Sequence, residues 1–204
     1  MSKAILLVTG FEPFGSVLEN PSQRIVEHLA QRRDLPLVTA LLPVDYKKAA
    51  QQIIGLIEKY DPQAVVMLGV GQSRDAIGLE RIAVNINDAP LPDNAGELLQ
   101  GKAIAEDGPV GYWSTLPMAA MFAAISELDI PVKYSNHAGA YLCNHVFYSI
   151  RHYFEQQQSK IPAGFIHVPD MGDEAPAMPI ETQIRAIEAS LDVLMKHLQL
   201  MPLA

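Results

Sequence analysis

The chain is 204 residues long, and its 15 Lys and Arg against 23 Asp and Glu leave a formal net charge of -8, which argues against nucleic acid as a partner. With 49% hydrophobic and 19% charged residues the composition excludes intrinsic disorder, and no apolar run approaches the roughly 18 residues needed to span a bilayer. A single cysteine, Cys143, excludes an internal disulfide and a Cys-based zinc cage. One domain over 1–204, in a reducing cytoplasm and off the membrane, is the expectation; Ala4–Val8 is too short for a signal segment.

Apolar, β-branched runs alternate with segments of helical period, the pattern of an α/β domain with a largely parallel sheet buried on both faces. Ala4–Thr9 reads as the first strand and Gly10–Gly15 as a loop, with Asn20-Pro21 opening a helix. Leu37–Leu42 is a second strand, and Asp45 can cap a helix carrying Ala49, Ile53 and Ile57 until Asp61-Pro62. Ala64–Leu68 is a buried strand, turned by Gly69-Val70-Gly71. Leu79–Asn87 alternates as one strand, with Glu80 in phase with Ile82, Val84 and Ile86. Residues 88–112 form a loop long enough for a lid. Ser114 or Thr115 opens a helix to about Leu128; Pro131–Ser135 is a strand, Asn144–Gln158 a helix, Gly164–Val168 the last strand, and Pro179 begins a long amphipathic helix.

Ligands of open α/β sheets gather beyond the carboxyl ends of the strands. The loops there bring Phe11, Phe14, Asn20, Gln72, the segment His137–Cys143 and His167 toward one edge. Glu80 joins them only if its strand runs antiparallel. Cys143 falls where a helix starts, where backbone N–H groups and the dipole favour a thiolate and could hold an oxyanion; a buried structural cysteine is the alternative. His167 could serve that thiol as general base, or be a satisfied core histidine. Glu80 could orient the imidazole, or form a salt bridge. Other motifs are absent or incomplete. Ser16-Val17 stands where a phosphate loop needs Lys-Ser/Thr, Arg74 where a dinucleotide fold needs a third glycine, and there is neither HExxH nor GxSxG. His137 and His145 flank Cys143 without a second thiol or carboxylate, so no metal site is expected.

Several of these segments together resemble the pyroglutamyl peptidase I family of cysteine exopeptidases. They are Thr9–Gly15 with Asn20-Pro21-Ser22, Glu80–Asn85, Pro92-Asp93-Asn94, Ser135-Asn136 with Ala138-Gly139 and Cys143-Asn144, and Gly164–Pro169. The resemblance implies a Glu80, Cys143, His167 triad in a three-layer α/β/α sandwich around a twisted, mostly parallel mixed sheet. It implies no cofactor, an intracellular setting and a homo-oligomer, dimer or tetramer. It further implies that Phe11 and Phe14 sandwich the lactam ring of an N-terminal pyroglutamyl peptide, while Asn20, the backbone near Gln72, and Leu142 complete the substrate site. The chain departs from the family in three places. The loop after Gln72 is short; Pro90 stands where an arginine facing the catalytic centre is usual, with Arg74 or Arg81 as candidate replacements; His137 occupies a position usually small and polar. A cysteine amidase of altered acyl preference, and a flavodoxin-like binding module without catalysis, are the competing readings.

Overall fold

Strands and helices alternate throughout the computed structural model, which describes residues 5–15, 19–171 and 176–200. Ala4 and Ser16-Val17 lie outside the described residues. In chain order the elements are β1 (Leu6–Phe11), α1 (Pro21–Leu29), β2 (Leu37–Leu42), α2 (Ala49–Tyr60), β3 (Ala64–Val70), β4 (Ile77–Glu80), β5 (Ile82–Val84), β6 (Gly111–Trp113), α3 (Met118–Ser126), β7 (Val132–Ser135), α4 (Leu142–Gln156), β8 (Ala163–Val168) and α5 (Ile180–His197). Helix α1 starts as expected, with Asn20 Oδ1 accepting from the Ser22 N–H at 3.0 Å and Pro21 supplying a pre-set φ.

Six strands form one sheet in the order β2-β1-β3-β8-β4-β7. The first four are mutually parallel; β4 runs antiparallel to β8, and β7 is parallel to β4. Alternate residues feed two cores. Leu6, Val66, Leu68, Ile166 and Val168 pack with α1, α3 and α5, while Leu7, Val65, Met67 and Phe165 pack with α2 and α4. The result is an α/β/α sandwich around a mostly parallel, mixed sheet. Each large side chain buried there, such as Phe147 or Phe154, contributes roughly 1.5–3 kcal/mol by leaving water.

Four expectations about the fold need correction. Leu79–Asn87 is not one strand: the chain breaks at Arg81, whose N–H and C=O tie it to Ser135 and Ser114, and β5 leaves the sheet to pair with β6. The phase set by Glu80 is lost with it, so Ala83 is the buried residue of β5. The helix expected from Ser114 or Thr115 begins only at Met118. Ser114 donates to Arg81, and Thr115 exchanges backbone and hydroxyl bonds with Ala163, which commits both to extended pairing. Helix α4 begins two residues before Asn144, placing Cys143 inside its first turn.

Residues 88–112 include strand β6 and are no free lid. Buried Asp93 accepts from the N–H groups of Tyr46, Ala95 and Glu97, and Asn85 accepts from Ile104 and Ala105. The segment is thereby a fixed wall. Among the described residues, no helix is long and apolar enough to cross a membrane.

Candidate active site

The reversal of β4 builds half of the site. Its register with β8 sets Gly78 opposite His167, and Glu80, two residues on, becomes the diagonal neighbour on the same face. Glu80 is fully buried and its Oε1 lies 2.7 Å from His167 Nδ1. A carboxylate acceptor there places the proton on Nδ1 and leaves Nε2 available to the site.

The other half comes from β3 and α4. In the parallel pairing of β3 with β8, Gly69 is the partner of His167. A Cβ on Gly69 would stand 2.8 Å from Cys143 Sγ and 2.8 Å from Phe165 Cζ, so the missing side chain is the seat of the thiol. Partners in register project to one face, which puts the thiol and the imidazole together on the α4 side of the sheet. Tyr141 precedes α4 without a side-chain cap, so the N–H groups of the first turn are open to an oxyanion. Beside Cys143, fully buried Asn144 locks α4 to the β5 segment. Its Oδ1 accepts from Val84 N–H at 2.9 Å, and its Nδ2 donates to Val84 O at 2.8 Å and Ile86 O at 2.9 Å.

The electrostatics differ from the thiolate expected at a helix start. Burial pushes the Cys143 thiol upward from its ordinary value, the Glu80 carboxylate adds to this, and Arg74 opposes it. Cys143 as a residue keeps partial exposure where it lines the pocket. Desolvation lowers His167, the Glu80 hydrogen bond raises it, and the Arg74 and His137 charges lower it again. Both shifts favour the uncharged forms of the pair.

An apolar pocket opens at the thiol, lined by Phe11, Phe14, Asn20, Val44, Val70, Tyr141, Leu142 and Cys143. It is narrow and partly open to solvent. Phe11, Phe14, Asn20 and Leu142 thus meet at Cys143, whereas Gln72 sits exposed on the turn after β3 and is not among the lining residues. The Asn20 amide is largely spent on the fold: Oδ1 accepts from Ser22 N–H and Oγ, and Nδ2 donates to Glu12 O. Tyr141 is the aromatic wall that the sequence reading passed over, although it directly precedes Leu142-Cys143. Its ring lies 6.1 Å from Phe14 and edge-on to Tyr46 at 5.7 Å, and its hydroxyl donates to Pro92 O.

The two arginines considered for the place of Pro90 separate cleanly. Arg81 points away, its side chain between Trp113 and Tyr134 and bonded to Asn136. Arg74 lies inside the site, its Nη1 2.9 Å from Glu80 Oε1. Pro90 is exposed, just past Asp88, whose N–H bonds Ala140 O on the approach to Cys143. His137 is exposed on that same approach, its Nδ1 accepting from Gly139 N–H at 3.2 Å; Gly139 has φ 79°, a conformation suited to glycine. Among the described residues there is no group of three or more His, Cys, Asp or Glu placed to hold a metal ion.

Residues 4–197 match the family model described as pyroglutamyl peptidase. The chain belongs to the pyroglutamyl peptidase family. It is 36% identical over 200 residues to a pyrrolidone-carboxylate peptidase of Brevibacillus brevis, covering 94% of this chain and 93% of the relative. It is 43% identical over 166 residues to that of Oceanobacillus iheyensis, covering 80% and 83%. Among solved structures, the pyrrolidone carboxyl peptidase from Thermococcus litoralis superposes with a TM-score of 0.91 at 34% identity, covering 96% of this chain and 95% of that one. The Bacillus amyloliquefaciens pyroglutamyl peptidase I does so with 0.89 at 30% identity, covering 95% and 98%. The chain is thus a cysteine peptidase of this family, and the residues whose roles sequence reasoning missed are Gly69, which seats its thiol, Gly78, which clears space for Arg74, Tyr141, which walls its pocket, and Asn144, which locks α4 to β5.

Proposed function

We propose that the protein removes N-terminal pyroglutamyl residues from peptides, with Cys143 as nucleophile, His167 as general base and then acid, and Glu80 orienting the imidazole. The observation that carries this reading is a thiol seated over Gly69, on the face of His167, at the mouth of an apolar pocket. As Sγ attacks the pyroglutamyl carbonyl carbon, its proton passes to Nε2, so the neutral resting pair becomes charged only during the reaction. The carbonyl oxygen gains charge facing the open N–H groups of α4. Collapse of the tetrahedral species breaks the C–N bond, and the amine leaves with the proton held on His167. Water, losing a proton to His167, then hydrolyses the thioester and restores the thiol.

A pocket walled by Phe11, Phe14, Tyr141, Val44 and Val70 suits a flat, uncharged lactam better than an ionised amino terminus. Hydrolysis of a pyroglutamyl-amide reporter tests the reading. Wild type turns it over, and Cys143→Ala loses about 10³-fold or more; full turnover by the alanine variant removes Cys143 as nucleophile.

A second reading, an amidase of other acyl preference, is favoured by exposed Pro90 in place of the usual arginine and by the short loop after Gln72. A panel of N-acyl amides set against the pyroglutamyl reporter separates the two, because a better substrate lacking the lactam displaces the first. Self-association and a cytoplasmic setting, both implied by the family resemblance, belong to the same proposal; light scattering of the purified protein checks the former.

A further inference from the structure

We propose that Arg74 is a positioning residue of this site: its guanidinium, laid across Gly71 and Gly78, holds the Glu80 carboxylate in place against His167. The proposal rests on the triad reading above. Glu80 is fully buried, and its Oε1 receives both His167 Nδ1 at 2.7 Å and Arg74 Nη1 at 2.9 Å. Its Oε2 has no hydrogen-bond partner among the described residues. A carboxylate withdrawn from water costs several kcal/mol unless a charge and hydrogen bonds compensate it. A neutral imidazole supplies one hydrogen bond and no charge, so the compensating cation is Arg74.

The path of the side chain is built for this. The Arg74 N–H closes a turn onto Gly71 O, and the side chain then runs back over the strand end. A Cβ on Gly71 would collide with Arg74 Cδ and Nε, and one on Gly78 with Nη1. Neither glycine has a left-handed φ, so the backbone makes no demand for glycine at either position. The demand comes from the space that Arg74 fills. Gly78 is also the register partner of His167, so one missing side chain admits the guanidinium alongside the imidazole.

The groups facing His167 are Glu80 from β4, Arg74 from the β3–β4 turn, Cys143 from α4 and His137 from the β7–α4 loop. With Arg74 in place, Glu80 stays an acceptor, Nδ1 keeps its proton, and the Nε2 lone pair is left to the site. Without it, the carboxylate turns away toward water, and the imidazole loses its acceptor and its fixed tautomer.

Reporter kinetics on Arg74→Met, Arg74→Lys, Gly78→Ala, Glu80→Gln and the Arg74→Met/Gly78→Ala double variant test this. Arg74→Met is expected to lower kcat at least about tenfold while KM stays within about threefold. The imidazole then loses the Glu80 hydrogen bond and charge that raise it, which outweigh the Arg74 repulsion, so the acid limb of kcat/KM moves to lower pH. Arg74→Lys restores part of the rate. Gly78→Ala lowers kcat by displacing the same guanidinium from its far end, and adds little to Arg74→Met. This second route stands even if Arg74→Met fails to fold. A rise in KM with kcat and the acid limb unmoved would overturn the proposal in favour of direct substrate contact. Additive losses in the double variant would overturn it equally. Glu80→Gln separates the two levels: if it turns over like wild type the triad reading falls, whereas a crippled Glu80→Gln beside a fully active Arg74→Met sinks only the role of Arg74.

Discussion

A thiol in the first turn of a helix is ordinarily acidified, yet Cys143 is driven the other way. The magnitudes decide this. A helix terminus is worth about 0.3–1 kcal/mol and rarely 2, under two pKa units, whereas burial shifts a group by as much as 3–5 units. The neighbouring Glu80 carboxylate adds to the burial. The sign for stability follows directly. Above about pH 8.5 the unfolded chain ionises this thiol and the native chain does not, so the unfolded state binds fewer protons and stability falls as pH rises, by at most about 1.4 kcal/mol per pH unit. Urea melts at pH 8, 9 and 10 are expected to show a shallower alkaline loss for Cys143→Ala than for wild type. Parallel slopes would mean that the native state already holds a thiolate. Iodoacetamide should agree, with a rate still climbing through pH 9 instead of levelling near neutrality.

At the scale of elements, the weak point is the short ribbon of β5 and β6, which lies outside the main sheet and is held to the first turn of α4 by Asn144. Asn144 satisfies Val84 N–H, Val84 O and Ile86 O together. Asn144→Ala strands three backbone groups at the edge of a buried contact and is expected to cost about 2–4 kcal/mol, read from the urea midpoint at unchanged slope. A cost under about 0.5 kcal/mol, the range of a surface change, would show that β6 alone positions the ribbon. The same elements mark where the sequence was readable. Leu37–Leu42, Ala64–Leu68 and Gly164–Val168 declared themselves as apolar runs, and Cys143 and His167 as polar residues where strands end or helices start. Arg81 gave no sign of breaking its strand, because the break is decided by Ser135, Ser114 and the β6 partners, all distant in sequence. Gly69 and Gly78 carry no side chain to read; their meaning comes from what Cys143 and Arg74 put into the space. The bonds of Asn144 span 58 to 60 residues, beyond the reach of any local period.

Across the whole molecule, the site straddles the line where the sheet changes direction. Glu80 and His167 sit on paired strands with both cores beneath them, whereas Phe14 stands in the loop after β1 and Tyr141 just ahead of α4. The backbones that carry the acid–base pair therefore cannot separate without breaking the β4–β8 ladder, while the pocket walls can shift without touching it. The two halves should accordingly fail at different points on warming or in mild denaturant. KM for the reporter is expected to rise first, while kcat holds until the cooperative unfolding transition seen by circular dichroism. A kcat that decays well before that transition would mean that the ladder frays on its own. In such an enzyme, early heat damage costs affinity for substrate, and chemical competence disappears only with the native state itself.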